Sequence, residues 1–189
     1  MTSRDRSDVV TALSGAFSDD PVFTWIFPDD DRRRDLLPPA FDVFAEAIAH
    51  HGVSHAAGDG VGAALWVPPG EAVADDEEAF AETLLALSPE DAGRMEACLA
   101  LLGEHHPEEP CWYLNFIGVV PERQGEGIGS LLLREGVERS DATGVAAYLD
   151  ATSTDNRRLY ERHGFRVLAE LTLPDGPPVF PMWRDPGAG

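Results

Sequence analysis

The chain has 189 residues, with 34 Asp and Glu against 14 basic residues, every one of them arginine, for a net charge of -20. A field of that sign repels nucleic acid and anionic membranes and attracts small cations, and no apolar run approaches the ~18 residues that a membrane span needs. Hydrophobic residues make up 43% of the chain and its 15 prolines are scattered, which predicts a single domain over 1–189 with one full core and a flexible tail at 186–189. The charged N-terminus lacks a signal-sequence pattern, so the expectation is a cytoplasmic protein, monomer or homodimer, whose Cys98 and Cys111 are reduced thiols.

A first helix is expected from a cap at Ser7 or Asp8, with Val9, Val10, Leu13, Ala16 and Phe17 on one face, broken by Asp20-Pro21. Residues 22–28 read as too short and apolar for a surface helix. Asp29-Asp30-Asp31 caps the next one, which carries Leu37, Phe41, Phe44, Ala45 and Ile48 inward, reaches His51 and stops at Gly52. Segments 53–55 and 61–67, separated by Gly58-Asp59-Gly60, read as a hairpin. After Pro68-Pro69-Gly70 come helices over 76–87 and 89–103, an acidic loop over 104–110, and an aromatic and branched strand over 111–120. A glycine-rich turn then leads into a helix from Gly127, with Ile128, Leu131 and Leu132 at i, i+3, i+4. A strand ending at Asp150, a helix over 154–163 and strands near 165–173 and 179–184 complete the chain. The order predicts an α/β (α+β) fold: a mixed, largely antiparallel sheet flanked by helices.

The densest chemistry lies in Val119-Val120-Pro121-Glu122-Arg123-Gln124-Gly125-Glu126-Gly127-Ile128-Gly129. Glycines let backbone approach a ligand without side chains in the way, and the first N–H groups of the following helix are left unpaired, so the turn suits an anion. A dinucleotide fingerprint G-x-G-x-x-G would want its first glycine directly after the strand and a third glycine where Ser130 stands. It would also want far more chain after Asp150.

Gln124-x-x-Gly127-x-Gly129 resembles the Q/R-x-x-G-x-G/A signature of the GNAT acetyltransferases, and Asn156 through Phe165 resembles their N-x-x-x-x-Y-E-x-x-G-F segment. From Cys111 onward the chain is also similar to the puromycin N-acetyltransferase group, which has a glutamate in place of Asp150. The resemblance implies a GNAT fold with a splayed central strand pair. It divides the chain into an acceptor-side half (1–110) and an acetyl-CoA-binding half (111–185). It implies acetyl-CoA as cosubstrate without a metal, the pantetheine arm lying along Ile117, Gly118 and Val119, and the Val119 N–H holding the thioester oxygen. Arg123, Gln124, Gly125, Glu126, Gly127, Ile128 and Gly129 would surround the pyrophosphate.

Transfer also needs a proton for the leaving thiolate and a base for the amine. Tyr160 is the expected acid and Asn156, one turn earlier, a contact to the pantetheine arm or a helix cap. Asp150 is the expected base or, equally, a helix cap, while Tyr113 and Tyr148 read as structural and the histidines as solvated surface. Arg157, Arg158 and Arg162 are either cofactor contacts or surface. Asp19, Asp20, Trp25, Phe27, Asp29 and Trp66 fall in segments that line the acceptor side in the superfamily; the other reading of Trp25, Phe27 and Trp66 is core. Acid plus aromatic suits a small cationic primary amine such as an aminonucleoside antibiotic. The alternatives are a protein or peptide N-acetyltransferase, or a GNAT-fold module that binds acetyl-CoA without turnover.

Overall fold

The computed structural model describes residues 3–50, 52–58 and 60–188. In chain order the elements are α1 (Ser3–Ala16), α2 (Pro21–Ile26), α3 (Asp30–Ala49), β1 (Val53–Ala57), β2 (Gly62–Val67), α4 (Glu77–Leu87) and α5 (Ala92–His105). There follow β3 (Trp112–Val119), a 3₁₀ turn (Pro121–Arg123), α6 (Ile128–Thr143), β4 (Ala147–Ala151), α7 (Thr154–Glu161), β5 (Arg166–Val167), β6 (Leu171–Thr172) and β7 (Pro178–Arg184). The sheet runs β1-β2-β3-β4-β7-β5, with β6 also on β7. Every pairing is antiparallel except β3 with β4.

Period-two alternation divides the apolar residues between two cores. Ala63, Leu65 and Val67 of β2 join Leu13, Phe17, Phe23, Phe41 and Phe44 beneath α1 to α5, while Ala64 and Trp66 join Leu132, Leu133, Leu149, Tyr160 and Met182 beneath α6 and α7. Phe116 of β3 seals the first core, its ring centroid 5.1 Å from Phe41 and 4.7 Å from Phe44. Among the described residues no helix is long and apolar enough to cross a membrane.

Several expectations are corrected by long-range contacts. α1 starts at Ser3 because Arg6 is tied to α3, its Nε 2.5 Å from Asp42 Oδ1 and its Nη2 3.1 Å from Glu46 Oε2. The apolar 21–26 segment is a helix after all. Asp20 Oδ1 accepts from the N–H groups of Val22 at 2.9 Å and Phe23 at 3.3 Å, Pro21 fits the first helical position, and Val22, Phe23 and Ile26 are buried. α3 runs through Pro38 and Pro39, the lost backbone bonds being offset by its buried face. α5 begins at Ala92 instead of 89, and 165–173 is two short strands. The expected flexible tail is held through Ala188: Gly187 N–H donates to Asp141 Oδ1 at 2.5 Å and Ala188 N–H to Asp185 O at 3.2 Å. The expected helix end at His51 and hairpin residue Asp59 lie outside the described residues.

Trp66 shows how tightly α6 is seated. A Cβ on Gly136 would lie 2.1 Å from Trp66 Cε2 and 2.2 Å from Cζ2, so only glycine lets α6 rest on the indole. Gly136→Ala is expected to destabilise the protein by about 2 kcal/mol or more, overpacking outweighing the ~1 kcal/mol gained in helix propensity. Trp66→Leu in the same chain should recover part of the loss. Urea denaturation of the single and double variants checks this.

Candidate active site

β3 and β4 pair for only three residues, Trp112↔Ala147, Tyr113↔Tyr148 and Leu114↔Leu149, although β3 runs on to Val119 and β4 to Ala151. Two causes pull them apart. A bulge in β3 lets Trp66 face Leu114 and Leu65 face Phe116, skipping Asn115 and bending the strand. Meanwhile β7 holds β4, with Asp150 opposite Pro181 and Ala151 opposite Phe180. Val120 N–H donates to Val61 O at 2.9 Å on the β2 side. By alternation the N–H groups of Ile117 and Val119 therefore point into the gap, where no strand lies opposite. Gln124 Nε2 donates to Val119 O at 3.1 Å, covering that carbonyl. Gly118 faces the other way: its Cβ would sit 2.5 Å from Ala16 Cβ, so its lack of a side chain admits α1 against the strand.

The glycine turn closes one end of this gap. Gly125 and Gly127 adopt φ of +80° and +84°, and a Cβ on either would meet no atom within 4 Å, so the loop presents bare backbone to open space. Gly127 caps α6 without any side-chain hydrogen bond, leaving the first N–H groups of Ile128 and Gly129 to an external acceptor. Arg123 and Glu126 pair beside it at 2.8 Å. Arg157 pairs with Glu161 and lies over the Phe180 ring, and Arg158 pairs with Asp155. The turn thus offers backbone to its surroundings, with these arginines already engaged by carboxylates.

Toward α7, Ser153 Oγ caps the helix by accepting the Asn156 N–H at 3.1 Å, which frees the Asn156 side chain from the cap role and lets its Nδ2 reach Thr152 Oγ1 at 3.5 Å. Thr152 in turn donates to Asp20 Oδ2, so a chain of contacts joins α7, the end of β4 and the start of α2 across the mouth of the gap. Tyr160 is buried, its ring 6.1 Å from that of Phe165. Burial, and after it the Asp20 charge, hold the phenol above its ordinary range. Burial likewise raises the Asp20 carboxyl, against its three hydrogen bonds.

On the opposite face of β4, where α5 packs, Tyr148 donates to Asp150 Oδ1 at 2.7 Å and Tyr113 approaches Oδ2 at 3.4 Å. Burial raises the Asp150 carboxyl to about 6 despite those two bonds and the nearby His105. Both phenols are pushed up by burial and by the Asp150 charge. His106 leans edge-on against both rings, at 4.8 Å and 5.1 Å, and the Cys98 thiol is pushed up to about 12 by burial and by Asp150 and Asp20. Asp150 is half-buried at the end of the β3–β4 ladder, and Tyr160 packs on the other face of the sheet from it.

Tyr113 and Tyr148, read as structural, both approach the Asp150 carboxylate. His106 is exposed, as expected, though it leans on two rings, whereas His55 is half-buried and paired with Glu135. Trp66 is fully buried under α6, away from the acceptor side; Phe27 is core; Asp29 caps α3 by accepting the Arg32 N–H at 2.9 Å; Asp19 is exposed. Trp25 packs over the turn at Gly176. The aspartate before Pro21 was the available signal for α2 and for Asp20 as its cap. Cys98 and Cys111 are separate free thiols, and among the described residues no metal-binding cluster of His, Cys, Asp or Glu occurs.

Residues 64–165 match the acetyltransferase (GNAT) family, a span that holds β2, the splayed pair, the glycine turn and α7. A solved structure from Corynebacterium glutamicum, described as histone acetyltransferase HPA2 and related acetyltransferase, is 30% identical. It covers 100% of this chain and 95% of its own at a TM-score of 0.71. An uncharacterised N-acetyltransferase of Schizosaccharomyces pombe is 26% identical over 178 residues, 87% of this chain and 72% of that protein. Arylalkylamine N-acetyltransferase 2 of Aedes aegypti shares the fold, with a TM-score of 0.62 at 16% identity over 98% of this chain and 96% of its own. Strand splay, bare-backbone turn and family match agree: the chain belongs to the acetyltransferase (GNAT) family and is an acetyltransferase enzyme.

Proposed function

We propose that the protein moves an acetyl group from acetyl-CoA directly to a primary amine of a small cationic acceptor, the acceptor entering on the α5 face and reaching the thioester through the gap between β3 and β4. The observation that carries this reading is Asp150: a half-buried carboxylate with a carboxyl near 6, set at the gap across the sheet from a buried phenol. Acetyl-CoA supplies the activated acyl group. The residues fit it, because the turn offers open space at Gly125 and Gly127 and the gap offers the N–H groups of Ile117 and Val119.

In this reading the backbone from Gln124 to Gly129 receives the pyrophosphate, with Arg123 and Glu126 at its rim, and Asn156 meets the pantetheine arm. Asp150 accepts a proton from the ammonium and passes it to solvent, which frees the lone pair that attacks the carbonyl carbon. The Val119 N–H stabilises the oxygen as it becomes negative. As the C–N bond forms and the C–S bond breaks, Tyr160 gives its proton to the departing sulfur and Asp150 takes the surplus proton from nitrogen; that proton then returns through solvent to the Tyr160 phenolate, restoring both groups. Ammonium and thioester become amide, thiol and one released proton. The raised phenol keeps its proton at every working pH, and a thiolate departing into the same desolvated gap is more basic than in water.

The acceptor class rests on the -20 charge, which draws cations, and on a carboxylate among aromatic rings. Aminonucleosides head the panel because of the C-terminal similarity to puromycin acetyltransferases, and a peptide N-terminus is the second reading because the 30% identical structure is described as a histone acetyltransferase. Thiol release with aminonucleosides, aminoglycosides, polyamines and peptides, with mass spectrometry of products, decides between them. Acetylation of peptides alone, or of hydroxyls alone, overturns the small-amine reading.

For Asp150 the sign follows from the base role: the carboxylate must be ionised, so kcat/KM should fall as pH drops through about 6. Asp150→Asn should lower kcat by roughly 10²-fold or more and abolish that limb. It should not lower Tm at pH 8, since the amide there replaces a charge that burial disfavours. A pH profile and a melting curve of both proteins check this.

Tyr160→Phe should lower kcat by roughly 10²-fold while the Kd for CoA, by calorimetry, stays within about threefold, because only a hydroxyl is lost. An unchanged kcat when chemistry limits the rate makes Tyr160 a packing residue.

A further inference from the structure

We propose that Asn115 is a specificity-determining residue: its side-chain carbonyl and Asp150 form a two-point receptor for an ammonium group, selecting nitrogen acceptors over hydroxyl acceptors of the same skeleton. This rests on the amine-acetyltransferase reading above and deepens it.

The case begins with register. Leu114 pairs with Leu149, so Asn115 and Asp150 are next in line, the first residues to face each other where the strands part. Asn115 is also the residue skipped by the β2–β3 pairing, so backbone geometry fixes its place. Its side chain lies beside the Tyr113 phenol, whose shift it opposes and whose hydroxyl approaches Asp150, which puts all three on one face of the sheet.

Donors and acceptors in this network do not balance. The Tyr148 hydroxyl is committed to Asp150, the Tyr113 hydroxyl is directed at it, and the Asn115 side chain lies beside the Tyr113 phenol. What is left over is acceptor capacity. Asn115 Oδ1 is buried with no donor among the described residues, and Asp150 has lone pairs beyond those two contacts. A buried acceptor without a donor is costly, and the cost is relieved by a ligand that brings donors. A hydroxyl brings one donor and can satisfy either oxygen but not both. An ammonium brings several, so one N–H can face Asp150 while another remains on Asn115 Oδ1 after the first proton has left. That leaves the nitrogen held, with its lone pair formed on the Asp150 side at the gap.

The test compares benzylammonium with benzyl alcohol for binding to the enzyme–CoA complex by calorimetry, in the wild type, Asn115→Leu, Asn115→Ala and Asn115→Asp. Melting curves confirm folding, and having two truncations keeps the test usable if one variant does not fold. The wild type should prefer the ammonium. Truncation should reduce that preference by about tenfold or more, the worth of one hydrogen bond to a charged donor, while the pH limb near 6 and CoA affinity stay in place. Asn115→Asp, which keeps an acceptor oxygen, should retain the preference. An unchanged amine-to-alcohol ratio in the truncated variants, or no preference in the wild type, overturns the proposal. Failure of the whole amine panel to release CoA while the ratio shift persists would instead overturn the acetyl-transfer reading and leave the receptor standing.

Discussion

The three-residue length of the β3–β4 pairing is the constraint on which the site depends. Parallel strands normally share an evenly spaced ladder, and here the ladder stops at Leu114 because β2 and β7 hold the two strands along diverging lines. The backbone N–H groups of Ile117 and Val119 are thereby left facing a slot instead of a neighbouring strand. The candidate site groups around that slot the glycine turn after β3, Asp150 at the end of the ladder, Tyr160 on the other face of the sheet, and the Asp20–Thr152–Asn156 contacts after β4.

Burial does most of the electrostatic tuning. Asp150, Asp20, Tyr113, Tyr148, Tyr160 and Cys98 are all shifted upward, and in each burial is the first cause. A chain of net charge -20 thus has interior groups whose titration is set by burial, and its glycine turn presents backbone dipoles in place of lysines or free arginines.

The elements visible in the sequence were those with a local cause. The glycine turn, the long aromatic strand, α3 with its aspartate cap and α7 with its Y-E-x-x-G-F end could be read from residue type and spacing alone. Local patterns showed little of what depends on a partner element. Asp20-Pro21 marked a possible start for α2, but the helix exists because the first core receives Val22, Phe23 and Ile26. Trp66 could not be assigned to a face, because β2 is buried on both sides and its alternation is invisible as polarity. The bulge at Asn115 is a property of how two strands pair, and the Tyr113–Asp150–Tyr148 network requires β3 and β4 to lie side by side.

The close seat of Trp66 on Gly136 acts as a fulcrum for the cofactor end of the enzyme. Gly136 lies eight residues beyond Ile128, where α6 begins, a lever arm of about 12 Å at 1.5 Å per residue. A tilt of about 5° about that point would swing the helix start by about 1 Å, a displacement large enough to spoil reactive geometry. A ring wedged against the bare backbone of α6 therefore sets how steadily the helix start beside the glycine turn is aimed.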